Sequence, residues 1–211
     1  MEELKSFDIE TNGFLRKESV CGWYHRDYTN YKLEGNPDFL VTLKNTSLQD
    51  GQPHQNEETL NRAKDEAKSY IYDILKRLEK TYTICVVPRS KANFTEKQLY
   101  FRKAVKEVVN ELRREGSPII DGTDFIQRHT NTRTTHLSKK GFDKEGKMPY
   151  VGITLKTCDI DDRVKGCDII LIDDIYTKTA NVIEDCVQAL FDKGAKRVAV
   201  YCVARTIDKS K

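Results

Sequence analysis

The chain has 211 residues, enough for one domain with a sizeable core, and 38% of them are hydrophobic and 33% charged. Its 36 basic residues against 33 acidic ones leave a formal net charge of +3, so composition alone does not demand a nucleic-acid partner. No apolar stretch approaches the ~20 residues that span a bilayer, and the start Met1-Glu2-Glu3-Leu4-Lys5 lacks an apolar signal core, so a soluble cytoplasmic protein without a membrane partner is expected.

Residues 1 to 45 read as strand-rich and irregular, with Phe39 to Leu43 as a strand closed by Asn45. Trp23, Tyr24, Tyr28 and Tyr31 mix aromatics with polar groups, and could form a hood over an aromatic ligand or simply pack in a core. Residues 46 to 56 are rich in Ser, Gln, Gly, Pro and Asn and make a loop. Leu60, Ala63, Ala67, Ile71, Ile74 and Leu78 share one helical face, which predicts an amphipathic helix over 57–79. Thr81 to Val87 reads as a strand, and Phe101 to Leu112 mark a helix over 95–114, ended by Gly116 and Pro118.

Ile119-Ile120 and Asp124 to Gln127 read as short strands. Residues 129–148 are polar, basic and without apolar period, as in a long loop. Tyr150 to Leu155, Ile169 to Ile172 and Arg197 to Val203 read as strands, with a helix around Ile183, Cys186, Val187 and Leu190 stopped by Gly194. The alternation of strand and helix predicts an α/β fold with a mainly parallel, doubly wound sheet. The domain reading is a single unit over 1–211, with an N-terminal strand and helix elaboration (1–80) on a core at 81–205. Six cysteines, at 21, 85, 158, 167, 186 and 202, show no Cys-x-x-Cys pair; Cys85, Cys186 and Cys202 read as small core residues of a reducing compartment.

The most informative stretch is Ile170-Leu171-Ile172-Asp173-Asp174-Ile175-Tyr176-Thr177-Lys178-Thr179-Ala180-Asn181. A buried strand here delivers two carboxylates to a hydroxyl-rich turn and a helix. Helix N-termini attract phosphate, and carboxylates accept from ribose hydroxyls directly or through a metal ion.

This stretch resembles the phosphoribosyl pyrophosphate (PRPP) motif of type I phosphoribosyltransferases: a strand, two acids, an apolar residue, any residue, then Thr-Thr-Gly-x-Thr. Asp173, Asp174, Ile175, Tyr176 and Thr177 match it, whereas Lys178, Thr179 and Asn181 replace Thr, Gly and Thr. The likeness is closest to ComF-like phosphoribosyltransferases and covers about 81 to 205. It also rests on Val86-Val87-Pro88, on Arg128 through Ser138, and on Gly194-Ala195 with the closing Ala204-Arg205. The Cys-rich zinc ribbon often found in that family is absent from the sequence.

The resemblance implies transfer of ribose 5-phosphate from PRPP to a nitrogen acceptor with loss of pyrophosphate, a glycosyltransferase reaction assisted by Mg²⁺. It implies that Asp173 and Asp174 meet the ribose and the metal, in part through water. Tyr176, Thr177, Lys178, Thr179, Ala180 and Asn181 would hold the 5′-phosphate, and Arg89, Ser90 and Lys91 the pyrophosphate. Arg128, Arg133 and His136 would belong to a loop closing over the reaction, with Arg133 and His136 as candidate catalytic groups. The competing reading is a non-catalytic module of the same fold that senses PRPP or a ribonucleotide monophosphate, or binds nucleic acid through the basic 128–147 segment. The altered turn and the basic segment favour that alternative, the acid pair favours ligand binding in either, and retention of both acids with Tyr176 and Thr177 favours the enzyme. A homodimer is compatible with either.

Overall fold

A computed structural model of the chain describes residues 3–29, 35–45, 55–132 and 152–207. These residues form an α/β fold in which four helices flank a six-stranded, mainly parallel mixed sheet. The elements are β1 (Lys5–Ile9), β2 (Val20–Tyr28), α1 (Asp38–Lys44), α2 (Glu57–Lys76), β3 (Tyr82–Val86), α3 (Tyr100–Arg114), β4 (Ile119–Gly122), β5 (Ile126–Arg128), β6 (Cys158–Ile160), β7 (Asp168–Tyr176), α4 (Val182–Asp192) and β8 (Arg197–Thr206). Strand order is β1-β2-β8-β7-β3-β4, and only β1 runs antiparallel to its neighbour. A separate antiparallel ribbon joins β5 to β6. Among the described residues no helix is long and apolar enough to cross a membrane.

The unbroken apolar run of β7 follows from its place between two cores. Ile169 and Leu171 point into one and Ile170 and Ile172 into the other, as the two-residue period of a strand requires. Along β8, Val198, Val200 and Cys202 face the first core and Tyr201 and Val203 the second. The first core is closed by α4, the β5–β6 ribbon and β1; the second by α1, α2 and α3. Each fully buried Leu or Ile here stabilises the fold by roughly 1.5–3 kcal/mol relative to exposure. Cys85, Cys186 and Cys202 are fully buried and unpaired, as small core side chains.

Helix α2 begins where Asn56 accepts the Thr59 N–H at 2.8 Å, with Glu57 and Glu58 in the first turn. Its apolar face packs on that of α3. Helix α3 is preceded by a separate 3₁₀ turn at Glu96–Gln98, capped by Thr95, so it starts at Tyr100 rather than 95.

Two expectations are corrected. Residues 39–43 are helical: Phe39, Leu40 and Leu43 share the buried face of α1, with Asp38 in its first turn and Asn45 left-handed at its end. The expected strand at 150–155 is not one where described; 152–155 form a turn leading into β6, and Tyr150 and Val151 lie outside the described residues. The expected short strand at 124–127 is present as β5, shifted to Ile126–Arg128 and placed in the separate ribbon. The N-terminal part divides: β1 and β2 extend the main sheet beyond β8, and α1 and α2 cover one face.

From β3 the chain goes outward to β4, and then returns past β3 to β7. The sheet therefore reverses direction between β3 and β7. Crevices at the carboxyl ends of strands flanking such a reversal are where open α/β sheets bind ligands.

Candidate functional site

The last rung between β3 and β7 is the Val87 N–H donating to the Ile172 carbonyl at 3.0 Å. Beyond it β7 continues with β8 alone, pairing Asp173 with Cys202 and Ile175 with Ala204. Asp174 lies two residues past Ile172, so its N–H faces the edge that β3 has left. That N–H donates to Asp173 Oδ1 at 2.9 Å, and the Ile175 N–H donates to Asp174 Oδ1 at 2.6 Å. The first of these satisfies an N–H that the β3 ladder no longer reaches, whereas Ile175 lies where β7 is still paired with β8.

The two carboxylates differ in environment. Burial, reinforced by the neighbouring Asp174 charge, pushes the Asp173 carboxyl well above the ordinary aspartate range. Asp174 Oδ2 lies 3.3 Å from Lys44 Nζ, with the two side chains 16% and 28% exposed. Across the crevice, the Arg89 guanidinium donates to the Lys44 carbonyl at 2.7 Å and to the Gln98 carbonyl, and stacks on the Phe94 ring at 4.1 Å. Burial works against its charge, and Asp174 and Asp173 support it. Arg89 therefore faces the acids as a braced cation.

The segment that carries Ser90 and Lys91 is tied down from β5. Ser90 O accepts the Thr132 N–H at 2.7 Å, and the Ala92 N–H donates to Asn131 Oδ1 at 2.8 Å. Arg128 is part of this brace and does not lie in a covering loop. It ends β5, half-buried, and donates to the carbonyls of Arg89, at 2.5 Å, and Gly152, at 2.9 Å. Arg133 and His136, with most of the 128–147 segment, lie outside the described residues.

After the acids, the Tyr176 hydroxyl donates to Glu184 Oε1 at 2.8 Å, and Thr177 Oγ1 meets Thr206 Oγ1 at 2.7 Å. Tyr176 is buried against Phe7, so it supports the turn from within. Lys178–Ala180 form a 3₁₀ turn, and α4 starts at Val182. The family's Gly position is Thr179, yet Thr179 has ordinary negative φ. The left-handed residue is Asn181, at φ 54°, a residue type that tolerates that conformation. Its Oδ1 accepts from Asn12 Nδ2 at 3.2 Å. The turn thus reaches the helix by another shape, without glycine.

That helix start carries two acids. Glu184 is 2% exposed and Asp185 8%, and burial raises both carboxyls, Asp185 to about 7. A phosphate at the first turn of α4 would lie beside these carboxyls and hold them further towards the neutral form. The positive features of the segment are the opening N–H groups of the 3₁₀ turn and the exposed Lys178.

Among the described members of the expected aromatic hood, only Tyr28 reaches the carboxyl end of the sheet, near Lys44, Asp38 and Asp174. Trp23 and Tyr24 are adjacent on β2 and so face opposite sides: Tyr24 packs on Phe7 in one core and Trp23 against the other. They form no common wall, and Tyr31 lies outside the described residues. Arg205 stacks on Phe7 at 4.8 Å, a structural role. Sequence reasoning missed Lys44, Thr206, Glu184 and Asp185. Lys44 is visible only once 38–44 is recognised as a helix, whose Pro37-Asp38 start and Lys44-Asn45 end were the available signal.

The donor set does not fit a resident Mg²⁺. One oxygen of each acid accepts a backbone N–H, the free oxygen of Asp174 faces an ammonium, and among the described residues no group of three His, Cys, Asp or Glu side chains is placed to hold a metal.

No protein-family model matches this chain, and no curated protein matches it in sequence.

Proposed function

We propose that the chain is a phosphoribosyltransferase of the type I, ComF-like kind, binding PRPP at the β3–β7 crevice. The observation that carries the reading is the acid pair at the sheet's reversal, with Arg89 braced opposite it. In the reaction the C1–O bond to pyrophosphate breaks and a C1–N bond to the acceptor forms. The electron pair leaves with pyrophosphate, and the acceptor nitrogen's proton passes to solvent. Positive charge develops on the sugar and negative charge on the leaving group. Asp174 and Asp173 would meet the ribose, and Arg89 and Lys91 the pyrophosphate. Lys178 and the turn around it would receive the 5′-phosphate.

One observation favours the alternative of binding without turnover: the buried carboxyls of Glu184 and Asp185 stand where the family's phosphate helix begins, and their ionisation would oppose a phosphate there. Calorimetry with PRPP tests binding. The paired substitution Asp173→Asn and Asp174→Asn should weaken affinity at least about tenfold, or about 1.4 kcal/mol. Unchanged affinity in a folded double variant removes the assignment. A pyrophosphate-release screen over nucleobase and amine acceptors then separates enzyme from sensor, since turnover by the unmodified chain eliminates the sensor.

A further inference from the structure

We infer that Lys44 is the cation resident at the acid pair, standing where a divalent metal would stand, so that a sugar phosphate binds here without one. The inference rests on the sugar-phosphate reading above for its ligand, and on the geometry alone for the role of Lys44.

Lys44 ends α1, a seven-residue helix whose buried Phe39, Leu40 and Leu43 pack in the core beside α2 and α3. A cation in a helix's last turn is favoured by the dipole. Its backbone and side chain are both engaged: the carbonyl accepts from Arg89 at 2.7 Å, and the ammonium lies 3.3 Å from Asp174 Oδ2. One residue therefore joins the two cations of the crevice to each other and to the acids.

The acids themselves leave little for a metal. Asp173 Oδ1 and Asp174 Oδ1 are bonded to the N–H groups of Asp174 and Ile175. An ion binding Asp174 Oδ2 directly would have to displace the ammonium, and would bring two further positive charges beside Lys44 and Arg89. An ammonium supplies charge and three donors without demanding octahedral oxygen ligands. Lys44 can thus hold the carboxylate in place and present its positive charge to a hydroxyl or phosphate oxygen.

Two measurements test this. In the first, the wild-type chain and Lys44→Met are titrated with Mn²⁺ alone, followed by electron paramagnetic resonance. The wild type should show no saturable site that Asp174→Asn abolishes, and Lys44→Met should gain one. A wild-type Mn²⁺ site lost in Asp174→Asn overturns the inference. In the second, calorimetry with PRPP is run in EDTA and in excess Mg²⁺. Wild-type affinity should agree within about threefold between the two. Lys44→Met should bind at least about tenfold more weakly in EDTA and recover with Mg²⁺, while Lys44→Arg should keep EDTA binding. Wild-type binding that collapses in EDTA refutes the inference and leaves the phosphoribosyltransferase reading standing. No PRPP binding under either condition refutes that reading and the ligand half of this one, and the Mn²⁺ titration then decides the role of Lys44 alone. Circular dichroism confirms that each variant is folded.

Discussion

Asp185→Asn should stabilise the protein in alkaline solution and not in acid. Asp185 is 8% exposed, its Oδ2 has no hydrogen-bond partner, and the Ile153 N–H is its principal donor. Burial lifts its carboxyl from the ordinary 3.8 to about 7. The folded state therefore holds a proton that the unfolded chain releases at lower pH. The resulting stability is complete below 3.8 and is lost as pH rises through about 7. At 1.36 kcal/mol per pH unit the full cost of ionisation is about 4 kcal/mol, and relaxation around the new charge reduces it to roughly 2 kcal/mol. The helix dipole at the first turn of α4 favours the charge by about 0.3–1 kcal/mol, too little to reverse the sign. Asparagine keeps the acceptor for Ile153 and carries no charge. Thermal unfolding of wild type and variant at pH 5 and pH 8.5 is the assay. The variant should gain about 4–8 °C at the higher pH and less than half of that at the lower. Glu184 and Asp173 are also raised by burial, so both proteins retain some slope and the difference between them is the quantity to read. An equal offset at both pH values, or a loss at pH 8.5, refutes the reasoning.

Tyr176→Phe removes the hydroxyl bonded to Glu184 Oε1 and leaves that buried acid with its own backbone N–H as donor, at a cost of about 1–3 kcal/mol; the loss in urea unfolding should be larger at pH 8 than at pH 5, because the hydroxyl favours the ionised acid. Gly22→Ala places a Cβ 2.5 Å from the Phe7 ring, itself packed on Tyr24, Tyr176 and Arg205, so a destabilisation of about 1–3 kcal/mol is expected in the same assay, and a neutral result would mean the ring can move. Asn181→Val forces a β-branched residue to φ 54° and should cost about 1–2 kcal/mol, whereas Asn181→Gly should be tolerated.

The elements read correctly from the sequence are those whose burial is decided locally. The β7 run is apolar at every position because both faces are covered, and α2 and α3 carry one apolar face at helical spacing. Phe39-Leu40-Val41-Thr42-Leu43 was misread because a five-residue apolar run with β-branched members suits either state, and contact with α2 and α3 decides for helix. The pairing of β2 with β8 leaves no local trace, so the aromatics of β2 looked like a patch when they are shared between two cores. At the candidate site the acids were legible as a motif. Lys44 was not, because it reaches Asp174 through a helix from a distant part of the chain. Arg128 reads as a loop cation in one dimension, and only the fold turns its donors inward on carbonyls.

The adjacency of β2 and β8 also bears on how the protein comes to be folded. Gly22 pairs with Val200 and Arg26 with Ala204, so the early strand of the hairpin has its parallel partner almost at the other end of the chain. Strands β3, β4, β7 and β8 are joined by successive crossovers and can assemble in order, but β1 and β2 have no sheet to join until β8 is in place. Closing so long a loop costs entropy before any contact repays it. The topology therefore makes docking of the N-terminal hairpin the late step of folding, with Phe7 and Tyr24 exposed until then. A circular permutant that brings residue 207 to residue 3 through a linker would shorten that search and should fold faster at little change in stability.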